Sequence, residues 1–118
     1  MSSPSAFLRS LQHLHARGEA FICLTLAKVP GECSLDVGAK MLVTATGSTE
    51  GTLGGGPVEE AALAHGRQLL SQSRTRSCQV VTWNLRDDLK FDQDGEVTLV
   101  CEHEPSGSWS IVLFGAGH

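Results

Sequence analysis

No apolar run in the chain approaches the roughly twenty residues needed to cross a bilayer, and no basic segment followed by an apolar core opens it. Both absences point to the cytoplasm. A basic excess is also missing: the net charge is -4 with pI ≈ 5.6, whereas a surface that tracks nucleic-acid phosphates carries a surplus of Lys and Arg. No nucleic-acid partner is expected, and any anionic ligand has to be held locally. The cysteines, Cys23, Cys33, Cys78 and Cys101, include no CxxC pair, so neither a zinc knuckle nor a thioredoxin motif is supported. Cys23, Cys78 and Cys101 sit in apolar runs and read as small buried thiols. Cys33 lies in the polar loop Gly31-Glu32-Cys33-Ser34 and reads as the exposed and most reactive one.

Metal and catalytic constellations are equally scarce. Asp87, Asp88, Asp92 and Asp94 do not have EF-hand spacing, and no glutamate stands at the closing position, so they read as a solvated loop. Glu102, His103 and Glu104 are consecutive in a strand-like run and therefore alternate between faces. His13 and His15 fall on different sides of a helix, and no residue is placed to join His65. Neither a nucleophile beside a base nor a paired set of carboxylates can be read from the spacing. The expectation is a protein with no catalytic residues and no metal site, not an enzyme.

What is present is the composition of one soluble domain: 118 residues, 41% hydrophobic and 19% charged. Ser5 to Arg17 places Phe7, Leu8, Leu11 and Leu14 at helical spacing, with Ser5 as cap and Gly18 as stop. Phe21 to Val29 reads as a central strand buried on both faces, and Met41–Thr46 with Ser48–Leu53 reads as a hairpin about Gly47. A helix runs from Pro57 to about Ser71, burying Val58, Ala62 and Leu69. Ser77–Leu85 and Val97–Cys101 read as further strands, separated by a charged loop over 86–94. The fold class is α+β, a mainly antiparallel or mixed β-sheet of about five strands packed against two α-helices.

The stretch Gly51-Thr52-Leu53-Gly54-Gly55-Gly56-Pro57-Val58-Glu59 is where this order converges. Consecutive glycines suit positive φ or the close approach of a ligand, and Pro57 suits the first position of a helix. Free amides at such a junction, with the positive end of the helix dipole, hold phosphate or another oxyanion. A tight structural turn explains the glycines as well, since neither a Walker lysine nor dinucleotide spacing is present. Glu59, in the first turn, would repel an anion unless it faces away. Lys40, at the start of the hairpin, is either solvated or a source of charge near the loop, with residues 31–39 close by.

After residue 104 the character changes. Pro105–Ser108 is linker-like, and Trp109-Ser110-Ile111-Val112-Leu113-Phe114-Gly115-Ala116-Gly117-His118 resembles the first strand and opening glycines of a Rossmann domain. Residues 1–104 are read as one domain and 105–118 as a linker with a truncated Rossmann strand. The apolar Ile111–Phe114 is expected to pair with a sheet edge, in this chain or in a second copy as a homodimer.

Three ordered motifs carry a family resemblance: Gly38-Ala39-Lys40-Met41-Leu42-Val43, the glycine stretch 51–59, and Leu113-Phe114-Gly115-Ala116-Gly117-His118. Together they resemble the XdhC/CoxI family, accessory proteins of xanthine dehydrogenase and related molybdenum hydroxylases. The resemblance covers most of the chain after about residue 20 and is far more specific as a set than any one motif. It implies binding of molybdenum cofactor and its insertion into a xanthine dehydrogenase-type molybdenum hydroxylase, the partner. The cofactor-binding residues it implies are Lys40, Gly54, Gly55, Gly56 and Glu59, with Cys33 as a substitute sulfur group. Two stretches depart from the pattern. Gly31-Glu32-Cys33-Ser34-Leu35 stands where the family often has Gly-Ser-Ala-Pro-Arg, and Gln93-Asp94-Gly95 where many members have Cys-Gly-Gly. Both departures favour the alternative, a protein-interaction or structural domain that has lost cofactor binding.

Overall fold

The apolar run Phe21–Lys28 forms the middle strand of the sheet in a computed structural model of the chain, which describes residues 4–31, 35–72, 75–91 and 94–104. The elements in chain order are α1 (Pro4–Arg17), β1 (Phe21–Lys28), β2 (Lys40–Thr44), β3 (Thr49–Gly51), α2 (Gly56–Gln72), β4 (Ser77–Asn84), α3 (Leu85–Leu89) and β5 (Glu96–Glu104). The five strands lie in the order β3-β2-β1-β5-β4, and every neighbouring pair is antiparallel. The fold is therefore α+β, as the sequence indicates, with a third, short helix besides the two expected.

Register explains why the first half of β1, Phe21 to Leu24, is apolar and buried at every position. Cys23 lies opposite Leu42 on β2 and Glu102 on β5, while Leu24 lies opposite Met41 and Cys101. Directly opposed residues share a face. On one face α1 lays Leu11 and Leu14 over Phe21, Cys23 and Leu42. On the other, Val58, Ala62 and Leu69 of α2 and Leu85 and Leu89 of α3 cover Ile22, Leu24, Leu26, Val43, Val97 and Leu99. A strand between two helical layers has no solvent face, so its hydrophobic pattern is continuous and not alternating.

The ends of the elements are set by local chemistry. α1 starts at Pro4, one residue before the Ser5 expected as its cap; proline fits the first turn because it has no amide hydrogen to leave unpaired. Gly18 at φ +64° ends the helix, with the Glu19 amide donating to the Leu14 carbonyl at 3.2 Å, the bond of a Schellman motif. The hairpin strands are shorter than their apolar and β-branched residues suggest, and Gly47 turns between them at φ +94°.

Two readings are corrected. Residues 86–94 do not form a simple charged loop: Leu85 and Leu89 are buried on α3, whose N-cap Asn84 accepts the Asp87 amide hydrogen at 2.9 Å while its own amide donates to Asp88 at 2.7 Å. The aspartates therefore serve the helix start, as a capping box does. Cys78 is exposed, not buried. Its side of β4 shares a face with Glu102, and α1 covers that face toward β1, β2 and β3, on the far side of β5 from β4, which leaves Val80 65% exposed beside it. Cys23 and Cys101 are buried, as expected. Cys33 and residues 105–118 lie outside the described residues. No helix among the described residues is long and apolar enough to cross a membrane.

Candidate functional site

The glycine loop leaves the sheet at Gly51, where a side chain is impossible: a Cβ there would stand 2.5 Å from the Lys40 carbonyl oxygen. Leu53 then drops into the main core, fully buried. Gly54, Gly55 and Gly56 follow at φ +109°, +76° and +69°, a run of left-handed conformations open to glycine and strained for other residues. Since Gly56 has a left-handed φ, regular helical geometry begins at Pro57, the first-turn position for which proline is suited.

The space around the three glycines differs. A Cβ on Gly54 would meet Leu35 at 3.0 Å, so Leu35, from the segment that leads into β2, is a neighbour of the glycine loop. A Cβ on Gly55 or Gly56 would meet nothing within 4 Å. Those two positions face open space, and the backbone there is accessible to an incoming molecule.

The direction of Glu59 decides the electrostatics. Its carboxylate does not face away from the loop but reaches back into it: Oε1 accepts the amide hydrogens of Leu53 at 3.0 Å and Gly55 at 2.9 Å, and the Thr52 hydroxyl donates to the same oxygen. Thr52 Oγ1 in turn accepts the Gly54 amide hydrogen at 3.0 Å. Burial alone would raise the Glu59 pKa, but the hydrogen bonds from Thr52, Gly55 and Leu53 outweigh it and hold the carboxyl below its ordinary value. The loop thus has an oxyanion-binding conformation whose oxyanion is its own glutamate. By helix geometry the amides of Gly56 and Val58 remain at the open end, since Pro57 carries none.

Lys40 is close to the loop in backbone but not in charge. Gly51 pairs with Met41, yet Lys40 shares its face with Leu42, on the α1 side, and its ammonium donates to Thr25 Oγ1 at 3.1 Å. The glycine loop feeds α2 on the opposite face. The structure therefore brings Gly54, Gly55, Gly56 and Glu59 together and separates the Lys40 ammonium from them. Thr52 is the loop residue that sequence reasoning missed; its signal was a hydroxyl one residue before the turn and seven before a first-turn glutamate.

Histidines fall outside this loop. His65 is half-buried with its ring edge-on to Trp83 at 6.5 Å, and its Nε2 has no hydrogen-bond partner. His103 is buried opposite Ile22 and Ser77. Among the described residues, no group of three His, Cys, Asp or Glu side chains is placed to hold a metal ion. A comparison with curated proteins finds no match to the chain. The model of the XdhC and CoxI family matches residues 14–84, which include the sheet's β1–β3, the glycine loop, α2 and β4, so more than half of the sequence aligns and the chain belongs to that family.

Proposed function

We propose that the chain is an accessory protein that binds molybdenum cofactor and helps to insert it into a xanthine dehydrogenase-type molybdenum hydroxylase. The observation that carries this reading is the open approach to Gly55 and Gly56 within a stretch the family model matches. A side chain at either position would fill that approach, and positive φ makes glycine the residue that fits there.

The residues fit such a ligand in shape and in part of its chemistry. Gly55 and Gly56 give backbone access, and the amides of Gly56 and Val58 are donors at the positive end of α2. Glu59 presents a carboxylate that accepts N–H groups, which suits the amino and ring N–H edge of a pterin better than a phosphate. A phosphate at this loop has to displace Glu59, because two anions sharing the same amides repel each other. When bound, the cofactor supplies the metal centre that the hydroxylase uses; this chain's part is to hold it, orient it and keep its exposed edge covered until transfer.

A specific observation favours the second reading, a protein-interaction or structural domain without a cofactor. Glu59 already satisfies the loop amides, and the Lys40 ammonium lies on the other face. Transfer separates the two. Incubating the purified chain, loaded with cofactor, with an apo-hydroxylase should restore hydroxylase activity more efficiently than free cofactor does. A chain that carries no cofactor yet binds the apo-hydroxylase supports the second reading.

A further inference from the structure

A second groove lies on the α1 face of the sheet, away from the glycine loop. Arg9, His13 and Arg17 are spaced four residues apart on α1, so they line up along one side of the helix. They form one wall of a cavity of about 330 Å³ whose opposite wall is Ser48, Thr49 and Glu50 from the β2–β3 hairpin. Leu14 and Leu42 lie at its base, both buried. The volume is at the lower end of the range for small-molecule pockets, about 300–1,000 Å³.

The chemistry of this groove is biased toward donors. Two guanidinium groups, an imidazole and the hydroxyls of Ser10, Thr44, Ser48 and Thr49 line it with a single carboxylate, that of Glu50. Arg17 is paired with Glu19, whereas Arg9 and His13 have no ion-pair partner among the described residues. In a chain of net charge -4 such a concentration of cationic side chains stands out against the overall field. A ligand that satisfies the wall has to be rich in acceptors, and a tetrahedral oxyanion accepts from a guanidinium and neighbouring hydroxyls at once. The cavity, at about 330 Å³, is larger than a phosphate group and leaves room for an organic portion beside the anion. Glu50 disfavours a ligand that carries a second anionic group beside the phosphate.

We propose that the groove between α1 and the β2–β3 hairpin is a binding site for a small organic phosphomonoester, with Arg9 and His13 as the principal phosphate ligands. The site does not rest on the cofactor reading, because α1 packs on the Leu42 face and the glycine loop leads to α2 on the Val43 face.

Calorimetric titration of the full chain with glycerol 3-phosphate and with inorganic phosphate, at fixed ionic strength, tests it. Saturable binding of glycerol 3-phosphate is expected, tighter than that of inorganic phosphate because of the organic portion. Arg9→Gln should weaken it about tenfold, the loss expected for one charge-assisted hydrogen bond. Arg9 is exposed, and its replacement leaves the core untouched. Gly55→Val, at the other face, should leave the affinity unchanged. Absence of saturable binding, or binding indifferent to Arg9→Gln, overturns the proposal, and binding abolished by Gly55→Val moves the anion to the glycine loop.

Discussion

The carboxylate of Glu59 accepts the amide hydrogen of Gly55 at 2.9 Å, so the first turn of α2 closes back on the loop that precedes it. With the Leu53 amide and the Thr52 hydroxyl on the same oxygen, this is a charge-assisted cap of the helix start. Glu59→Ala is expected to lower stability by about 1–2 kcal/mol, the range for loss of a strong N-terminal cap. The sign with pH follows from the lowered pKa. A depressed carboxyl contributes stability that is present above its unfolded pKa and is lost as pH falls through its folded pKa. Urea denaturation of wild type and Glu59→Gln should therefore show a gap at neutral pH that closes under acid conditions.

Glu104 behaves in the opposite sense. It is fully buried opposite Phe21, with the Arg76 Nε donating to Oε1 at 2.9 Å and Oε2 without a partner. Burial pushes its pKa up, and the nearby Arg76 offsets only part of that. A raised carboxyl contributes stability that is complete below its unfolded pKa and is lost as pH rises through its folded pKa. Arg76→Ala should cost about 1–3 kcal/mol at neutral pH, the penalty of a poorly compensated buried charge at a partly exposed pair. The deficit should shrink on acidification, when Glu104 is protonated; a deficit that grows toward acid pH would contradict this assignment.

Two glycines are expected to respond in opposite directions. Gly66 lies inside α2 without a left-handed φ, and a Cβ there would make ordinary contacts of 3.7 Å with Leu24 and 3.8 Å with Val43. Gly66→Ala should stabilise by about 0.5–1 kcal/mol through helix propensity. Gly51→Ala places a Cβ 2.5 Å from the Lys40 carbonyl oxygen at φ +88° and should destabilise. Thermal melts of the two variants check both signs.

Among the thiols with described positions, Cys78 is exposed while burial pushes Cys23 up to about 11 and Cys101 up to about 12. Access favours Cys78, and burial keeps the other two thiols protonated and covered. Alkylation under native conditions, read by mass spectrometry over time, should modify Cys78 well before Cys23 or Cys101.

The parts of the fold that were legible are those governed by long, one-sided signals. β1 was readable because nearly every residue from Phe21 to Leu26 is apolar, and α2 because Pro57 and the spacing of Val58, Ala62 and Leu69 agree. α3 was not, since five residues dominated by Arg86, Asp87 and Asp88 carry little periodicity, although the Asn84 cap was visible in principle. The burial of Cys78 was misjudged because hydrophobicity along β4 does not reveal how far α1 extends over the sheet. At the site, the glycines and the helix start were readable. The inward turn of Glu59 was not, because it depends on consecutive positive φ angles, and the face of Lys40 depends on strand register.

The central claim is that molybdenum cofactor reaches the chain at Gly55 and Gly56. The most direct measurement is the pterin fluorescence recovered from purified wild type, Gly55→Val and Gly47→Val, each confirmed folded. Gly47, at φ +94° with nothing within 4 Å of its Cβ position, imposes the same backbone strain far from the loop. The account predicts pterin in wild type and Gly47→Val and its loss in Gly55→Val; no pterin in wild type, or equal amounts in all three, would contradict it.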